Sequence, residues 1–233
     1  MLKACLNGGR GRDEHPAVPL TPTELAADAA RCAAAGVAAV HIHPRDDTGA
    51  ESLDAEPVAA AVTAIRAARP GLPVGVSTGA WIEKDPADRV AAVHAWTVLP
   101  DFASVNAHEE GAEIVAEALH ERGVEVEAGL WTPAAVEAYR GWRVPALRLL
   151  IECMTQDRER ALADAAAMLD LVPSGVQVLL HAEGAAVWPV LAEAVRRGLA
   201  TRIGLEDTVE LPDGSPAPDN AALVRAARDL GAH

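Results

Sequence analysis

The sequence predicts an α/β chain folded as one (β/α)8 barrel, the TIM-barrel architecture, over residues 1–233. Three observations predict it. Strand-like and helix-like segments alternate without interruption, eight of each, in a length close to the roughly 250 residues usual for this barrel. Polar and ionisable residues gather at the C-terminal ends of the strand segments, the rim on which such barrels carry their chemistry. No linker, low-complexity tract or internal repeat divides the chain. A doubly wound open sheet is the alternative arrangement of the same alternation.

The strands are expected at 2–7, 37–43, 73–77, 101–105, 124–128, 146–150, 176–181 and 201–205, each apolar or β-branched and bounded by Gly, Pro or Asp. Helices are expected near 22–35, 54–68, 86–95, 109–121, 133–141, 157–171, 185–198 and 219–230, where Ala, Leu, Glu and Arg recur at three- and four-residue spacing. Thr21-Pro22-Thr23-Glu24 marks the first helix start: an N-cap hydroxyl, a proline at the first helical position and an acid in the first turn. Gly36 closes that helix.

Thirty-four acidic against twenty basic residues give a formal net charge of −14, which repels a phosphate backbone and argues against a nucleic-acid partner. No apolar run reaches the roughly 18 residues of a membrane span. The opening MLKACLNGG reads as a first strand in preference to a signal peptide, and cytoplasmic residence is the expectation. Cys5, Cys32 and Cys153 are odd in number and far apart, with no CxxC spacing, so they read as reduced, buried thiols.

The chemistry centres on VAAVHIHPRD, Val37 to Asp46. Alternation along a strand puts His41 and His43 on one face with their rings side by side, a two-ligand clamp suited to zinc. Such a pair is also compatible with two packed histidines. Glu206, where strand 8 gives way to its loop, is a third candidate ligand, because strands 2 and 8 both flank strand 1 in a barrel. Its other reading is a carboxylate paired to a loop arginine. By the same alternation Arg202, Gly204 and Glu206 share a face, and Asp207 follows at the strand exit.

Ser77-Thr78-Gly79 at the end of strand 3 offers hydroxyls and backbone N–H groups for a carboxylate, or forms an ordinary turn. Asn106, Glu152 and His181 are single polar groups at strand ends, which often bond only to a loop. Arg45 and Asp46 read as a local ion pair or turn contact. An imine mechanism needs an amine inside the barrel, and the only lysines, Lys3 and Lys84, lie at the start of strand 1 and ahead of helix 3.

TPTEL, AAAGVAAVHIHPRDDTG, STG, RIGLEDTVELPDG and Asn220 with Leu223-Val224 together resemble the β-keto acid cleavage enzymes across most of the chain. The resemblance implies a zinc ion on His41, His43 and Glu206, Asp207 as catalytic base assisted by Ser77 and Arg202, and acetyl-CoA as second substrate. It also implies a homo-oligomer. A condensation followed by a cleavage would then release acetoacetate and a new acyl-CoA.

Substrate contacts are expected from Thr78, Gly79, Asn106 and Arg10. Arg10 stands where some members carry an acid, which points to a second anionic or polar neutral group on the substrate. The end of strand 7, LLHAEG, also departs from the family pattern, bringing His181 toward the metal or the substrate as an alternative to packing. Two other readings remain: a different metal-dependent lyase or hydrolase on this scaffold, and a non-catalytic metal- or acid-binding homologue.

Overall fold

The computed structural model describes residues 1–233. Eight parallel strands form one sheet in the order β7-β6-β5-β4-β3-β2-β1-β8, and eight helices alternate with them. The strands are β1 (Leu2–Cys5), β2 (Ala39–Ile42), β3 (Val74–Ser77), β4 (Phe102–Asn106), β5 (Glu125–Leu130), β6 (Arg148–Cys153), β7 (Val178–Ala182) and β8 (Thr201–Ile203). The helices are α1 (Pro22–Ala35), α2 (Ala55–Ala68), α3 (Pro86–Ala95), α4 (Ala112–Glu121), α5 (Pro133–Arg140), α6 (Arg158–Leu169), α7 (Val187–Arg196) and α8 (Asn220–Asp229).

The seam between β7 and β8 carries only the Leu179–Ala200 bridge, with the Leu180 N–H on the Ala200 carbonyl at 2.9 Å and the Thr201 hydroxyl on the Leu180 carbonyl at 2.8 Å. The barrel is therefore nearly closed, as the alternation predicts, and the open-sheet alternative falls away.

The first helix starts and ends as read. Thr21 Oγ1 accepts from the Glu24 N–H, the Glu24 carboxylate accepts from the Thr21 N–H, and Gly36 terminates the helix at φ 104°, a conformation costly for any residue with a Cβ. Strand 8 is shorter than expected because Gly204 begins a turn, with the Asp207 and Thr208 N–H groups both on its carbonyl. A Cβ at Gly204 would stand 1.8 Å from the Cys5 carbonyl oxygen, so only glycine lets this turn lie against β1. Glu206 reaches the barrel mouth through that turn, not by continued strand alternation.

Alternate strand residues pack outward under the helices: Leu2, Ala4, Val40, Ile42, Val74, Val76, Ala103 and Val105 all belong to the main apolar core. The inward residues are unusually polar for a barrel whose interior is ordinarily branched aliphatic. Two residues N-terminal to the layer of Cys5 and His41, Lys3 points inside, fully buried, with Nζ 2.5 Å from Glu127 Oε2. Arg148 Nε lies 3.4 Å from the other Glu127 oxygen, and the Phe102 ring stands 5.5 Å from Lys3 Nζ and 5.7 Å from the Arg148 guanidinium carbon. Lys3 thus corrects the expectation drawn from its place at the strand start: the amine is inside the barrel, but it is held in an ion pair.

Candidate active site

The loops after the strands enclose a cavity of ≈ 350 Å³ at the C-terminal mouth, lined by residues that include Arg10, His41, His43, Ser77, Asn106, Arg202 and Glu206. Residues 10 to 206 in sequence are brought to one place because each follows or ends a parallel strand. None of the three cysteines lines it, and all are buried and unpaired.

His41 and His43 face one another with Nε2 atoms 3.1 Å apart and ring planes at 79°. Glu206 Oε2 lies 3.6 Å from His43 Nε2 and 4.0 Å from His41 Nε2. A tetrahedral ion with bonds near 2.0–2.1 Å separates its ligand atoms by roughly 3.3 Å, so these spacings fit one cation. Glu206 Oε2 is buried and accepts no hydrogen bond, while Oε1 is engaged by Arg202 Nη2 at 3.0 Å. Burial holds His41 well below the usual histidine range, helped by His43, so its imidazole is neutral and can act as a ligand. A donor set of two imidazoles and a carboxylate, with an unpartnered oxygen aimed at two nitrogens, is fit for a metal.

Two residues outside the expected set orient this triad. Glu51, in the loop after β2, hydrogen-bonds His43 Nδ1 and accepts from the Trp81 indole at 3.2 Å. That bond places the His43 proton on Nδ1 and turns the Nε2 lone pair toward Glu206. Trp81 stacks beside His43, its ring 19° from parallel. Asn7, just past β1, grips the His43 backbone from both sides, its Nδ2 on the carbonyl at 2.8 Å and its Oδ1 on the N–H at 2.9 Å. An acid in the loop following an H-x-H strand is the only signal in the sequence that could have pointed to Glu51.

Arg202 joins the triad to Asp207. Its Nη2 lies 2.8 Å and its Nε 3.0 Å from Asp207 Oδ1, leaving Oδ2 buried without a partner. Arg202 lowers the Asp207 carboxyl, but full burial outweighs it and the group is pushed up to about 8. Asp207 sits behind Arg202 and does not line the cavity.

Ser77 lines the cavity, and its Oγ accepts from the Gly79 N–H at 3.2 Å, which leaves its O–H free to donate. Thr78 directs both its N–H and its hydroxyl to the Ser104 carbonyl, at 3.2 and 2.8 Å, and fastens β3 to β4. A Cβ at Gly79 would stand 2.3 Å from the Trp81 ring, so this glycine makes room for the tryptophan.

Arg45 and Asp46 do not pair. Arg45 Nη2 donates to the Gly8 and Arg10 carbonyls and steadies the loop after β1, whereas Asp46 collects the N–H groups of Thr48 and Ala50 in its own turn. His181 is buried 3.5 Å from Glu152 and lies outside both the triad and the cavity lining.

The sequence model of the beta-keto acid cleavage enzymes matches residues 1–233. The chain belongs to this family. It is 25% identical to the 3-keto-5-aminohexanoate cleavage enzyme of Fusobacterium nucleatum over 251 residues, covering 99% of this chain and 92% of the relative. The enzyme of the same description from Acetoanaerobium sticklandii is 25% identical over 255 residues, with the same coverage. Among solved structures, the HMG-CoA lyase of Brucella melitensis superposes with a TM-score of 0.58 at 15% identity, covering 99% of this chain and 91% of that one. The N-acetylmannosamine-6-phosphate 2-epimerase of Clostridium perfringens gives 0.58 at 14%, covering 89% and 87%. At these identities the structures attest the barrel alone.

As a β-keto acid cleavage enzyme the chain acts on a carbon–carbon bond of a small molecule. No helix is long and apolar enough to cross a membrane. In this setting Arg10 is not a free cation: its Nη1 is 2.7 Å from Glu14 and its Nε donates to the Glu206 carbonyl at 3.4 Å.

Proposed function

We propose that this β-keto acid cleavage enzyme is zinc-dependent, with the ion on His41, His43 and Glu206, and that it condenses a β-keto acid with acetyl-CoA to release acetoacetate and a new acyl-CoA. The reading is carried by one observation: three converging metal-type donors share a cavity wall with Arg202, which holds Asp207 behind it. Zinc bound there would act as a Lewis acid toward the keto oxygen and stabilise negative charge developing on it.

The chain's own groups then have definite tasks. Asp207, behind Arg202, takes the proton from the carbon between the keto and carboxylate groups by way of a water that Ser77 orients, and receives it on Oδ2, the oxygen Arg202 leaves free. Burial raises the Asp207 carboxyl above the usual range and so strengthens it as a base, while Arg202 favours its ionised form. Arg202 spans Asp207 and Glu206, fixing both carboxylates and balancing charge as the proton moves. Ser77 donates its free O–H to the substrate carboxylate or to the developing oxyanion. Arg10 and Asn106 contact substrate from the cavity lining, and Thr78 and Gly79 hold the Ser77 turn in place.

The atoms balance as an exchange. The deprotonated carbon attacks the acetyl carbonyl and the CoA thiolate leaves; the thiolate then attacks the original keto carbon, and the bond from that carbon to the deprotonated one breaks. Acetoacetate recovers the proton from Asp207, and the acyl group leaves on CoA. Residence in the cytoplasm and assembly as a homo-oligomer belong to the same proposal, the first supported by three cysteines without disulfide partners and the second by family membership.

The test incubates zinc-loaded protein with a panel of β-keto acids, with and without acetyl-CoA, and follows products by mass spectrometry. Acetoacetate and a new acyl-CoA are expected only when both substrates are present. Zinc bound at one per chain with no product from any pair would remove the reading in favour of another lyase, a hydrolase or a binding protein.

A further inference from the structure

We propose that Asn220, the first residue of α8, is a positioning residue that sets the spacing of the metal triad by tying the turn that carries Glu206 and Asp207 to the strand exit that steadies His43. This rests on the metal reading above and adds a residue that does not line the cavity. Asn220 is fully buried, and its amide makes three hydrogen bonds. Oδ1 accepts from the Leu205 N–H at 2.6 Å, while Nδ2 donates to the Leu6 carbonyl at 2.8 Å and to Asp28 Oδ2 at 2.6 Å. A backbone N–H only donates and a carbonyl only accepts, so the amide has one possible orientation. Asp28, on the buried face of α1, is held in turn by Arg31 Nη2, 2.8 Å from its other oxygen. An aspartate in place of Asn220 would lack the two donors, and a leucine would lack every polar atom.

The start of α8 does not require this side chain. Asp219 caps the helix, its Oδ1 accepting from the Ala222 N–H at 2.7 Å. The partners of Asn220 lie at the barrel mouth instead. Leu205 immediately precedes Glu206 in the turn opened by Gly204. There the Asp207 and Thr208 N–H groups bond to the Gly204 carbonyl and the Glu206 N–H reaches the Cys5 carbonyl at 3.3 Å, so the Leu205 N–H is the one held by a side chain. Leu6 immediately precedes Asn7, whose amide grips the His43 backbone on both sides, and the Leu6 N–H bonds to the His41 carbonyl at 3.0 Å. One buried amide therefore joins the backbone beside Glu206 to the backbone that supports both histidines.

A metal site tolerates errors of only about 0.2 Å in its ligand distances. Glu206 Oε2 has no hydrogen bond of its own to hold it against the imidazoles, so its place is set by Arg202 on the other oxygen and by the turn beneath it. Removing the Asn220 amide leaves the Leu205 N–H and the Leu6 carbonyl buried without a partner, a cost the turn relieves by moving away from β1. The carboxylate then leaves the histidines, while the strands and helices of the barrel keep their own ladders and core.

The experiment titrates the zinc-loaded full chain with a chelator and records zinc affinity and Tm for wild type, Asn220→Ala, Asn220→Asp and Val136→Ala. Asn220→Ala is expected to weaken zinc binding about 10- to 100-fold, the effect of losing a group that orients a metal ligand. Asn220→Asp keeps the size of the side chain and the acceptor for Leu205 but turns an oxygen toward the Leu6 carbonyl, and should weaken zinc about tenfold; it reads the tie even where the alanine variant does not fold. Val136→Ala, in the separate core under α5, lowers Tm through lost packing and should leave zinc affinity unchanged. Wild-type zinc affinity in the folded Asn220 variants, or an equal loss in Val136→Ala, overturns the positioning role while the metal reading stands. A wild-type protein that binds no zinc removes the metal reading and the positioning role with it. Weakened zinc in the Asn220 variants beside a wild type without turnover removes the proposed reaction and leaves the positioning role standing.

Discussion

At the scale of single residues, the chemistry depends on which atoms are left without partners. Glu206 Oε2 and Asp207 Oδ2 are both buried and unbonded, while the remaining oxygen of each is pinned by Arg202. One free oxygen faces two imidazoles and the other does not, so adjacent carboxylates divide into a ligand and a base. Asp207→Asn is expected to retain one metal per chain and to lose turnover by about 10²- to 10⁴-fold, checked by metal analysis beside steady-state rates. A near-normal rate would remove Asp207 as the base. Glu51→Ala frees His43 Nδ1 and should weaken metal binding by about 10- to 100-fold in competition with a chelator, since such outer carboxylates fix the ligand tautomer.

At the scale of elements, α1 shows how a local signal is turned into stability. Its capping box joins Thr21 to Glu24 in both directions. Thr21→Ala should cost about 1 kcal/mol, seen as a fall of about 2–4 °C in Tm. The Glu24 carboxyl is pulled down from an ordinary value near 4.5 to about 2, first by the Thr21 N–H it accepts and then, against a small burial effect, by the Leu20 N–H and Arg12. A folded value below the unfolded one means that its contribution is complete above pH 4.5 and disappears as pH falls toward 2. Denaturant midpoints of wild type and Glu24→Gln should therefore converge across that window. A constant gap between them would assign the effect to something other than the ionised cap.

For the whole molecule, the barrel carries its charge in two layers: a rim that does chemistry and, below it, the Lys3–Glu127–Arg148 network under Phe102. The lower layer is inaccessible, and breaking it leaves a buried carboxylate short of its nearest cation. Lys3→Met should cost about 3–5 kcal/mol in denaturant unfolding, while the molecules that remain folded keep their turnover. Loss of all activity in a fully folded Lys3→Met protein would instead reopen an imine mechanism through that amine. Lys84→Ala, ahead of α3, is expected to leave most activity intact.

The alternation of periods, the cap and stop of α1, the His41-x-His43 pair and the RIGLEDT exit are all local patterns, and by themselves they point to the barrel and to its candidate ligands. Period-two alternation fixes which histidines share a face whatever surrounds them. What tertiary structure alone decided are the relations between distant strands: Glu51 behind His43, Asn7 around the His43 backbone, the burial that lifts Asp207 against Arg202, and Glu14 cancelling Arg10. Lys3 is the plainest case, since its charge is tolerable inside the barrel only because a glutamate 124 residues away meets it there. Hydrogen-bond partners and desolvation depend on what the fold brings alongside a group, and one-dimensional spacing carries no record of that.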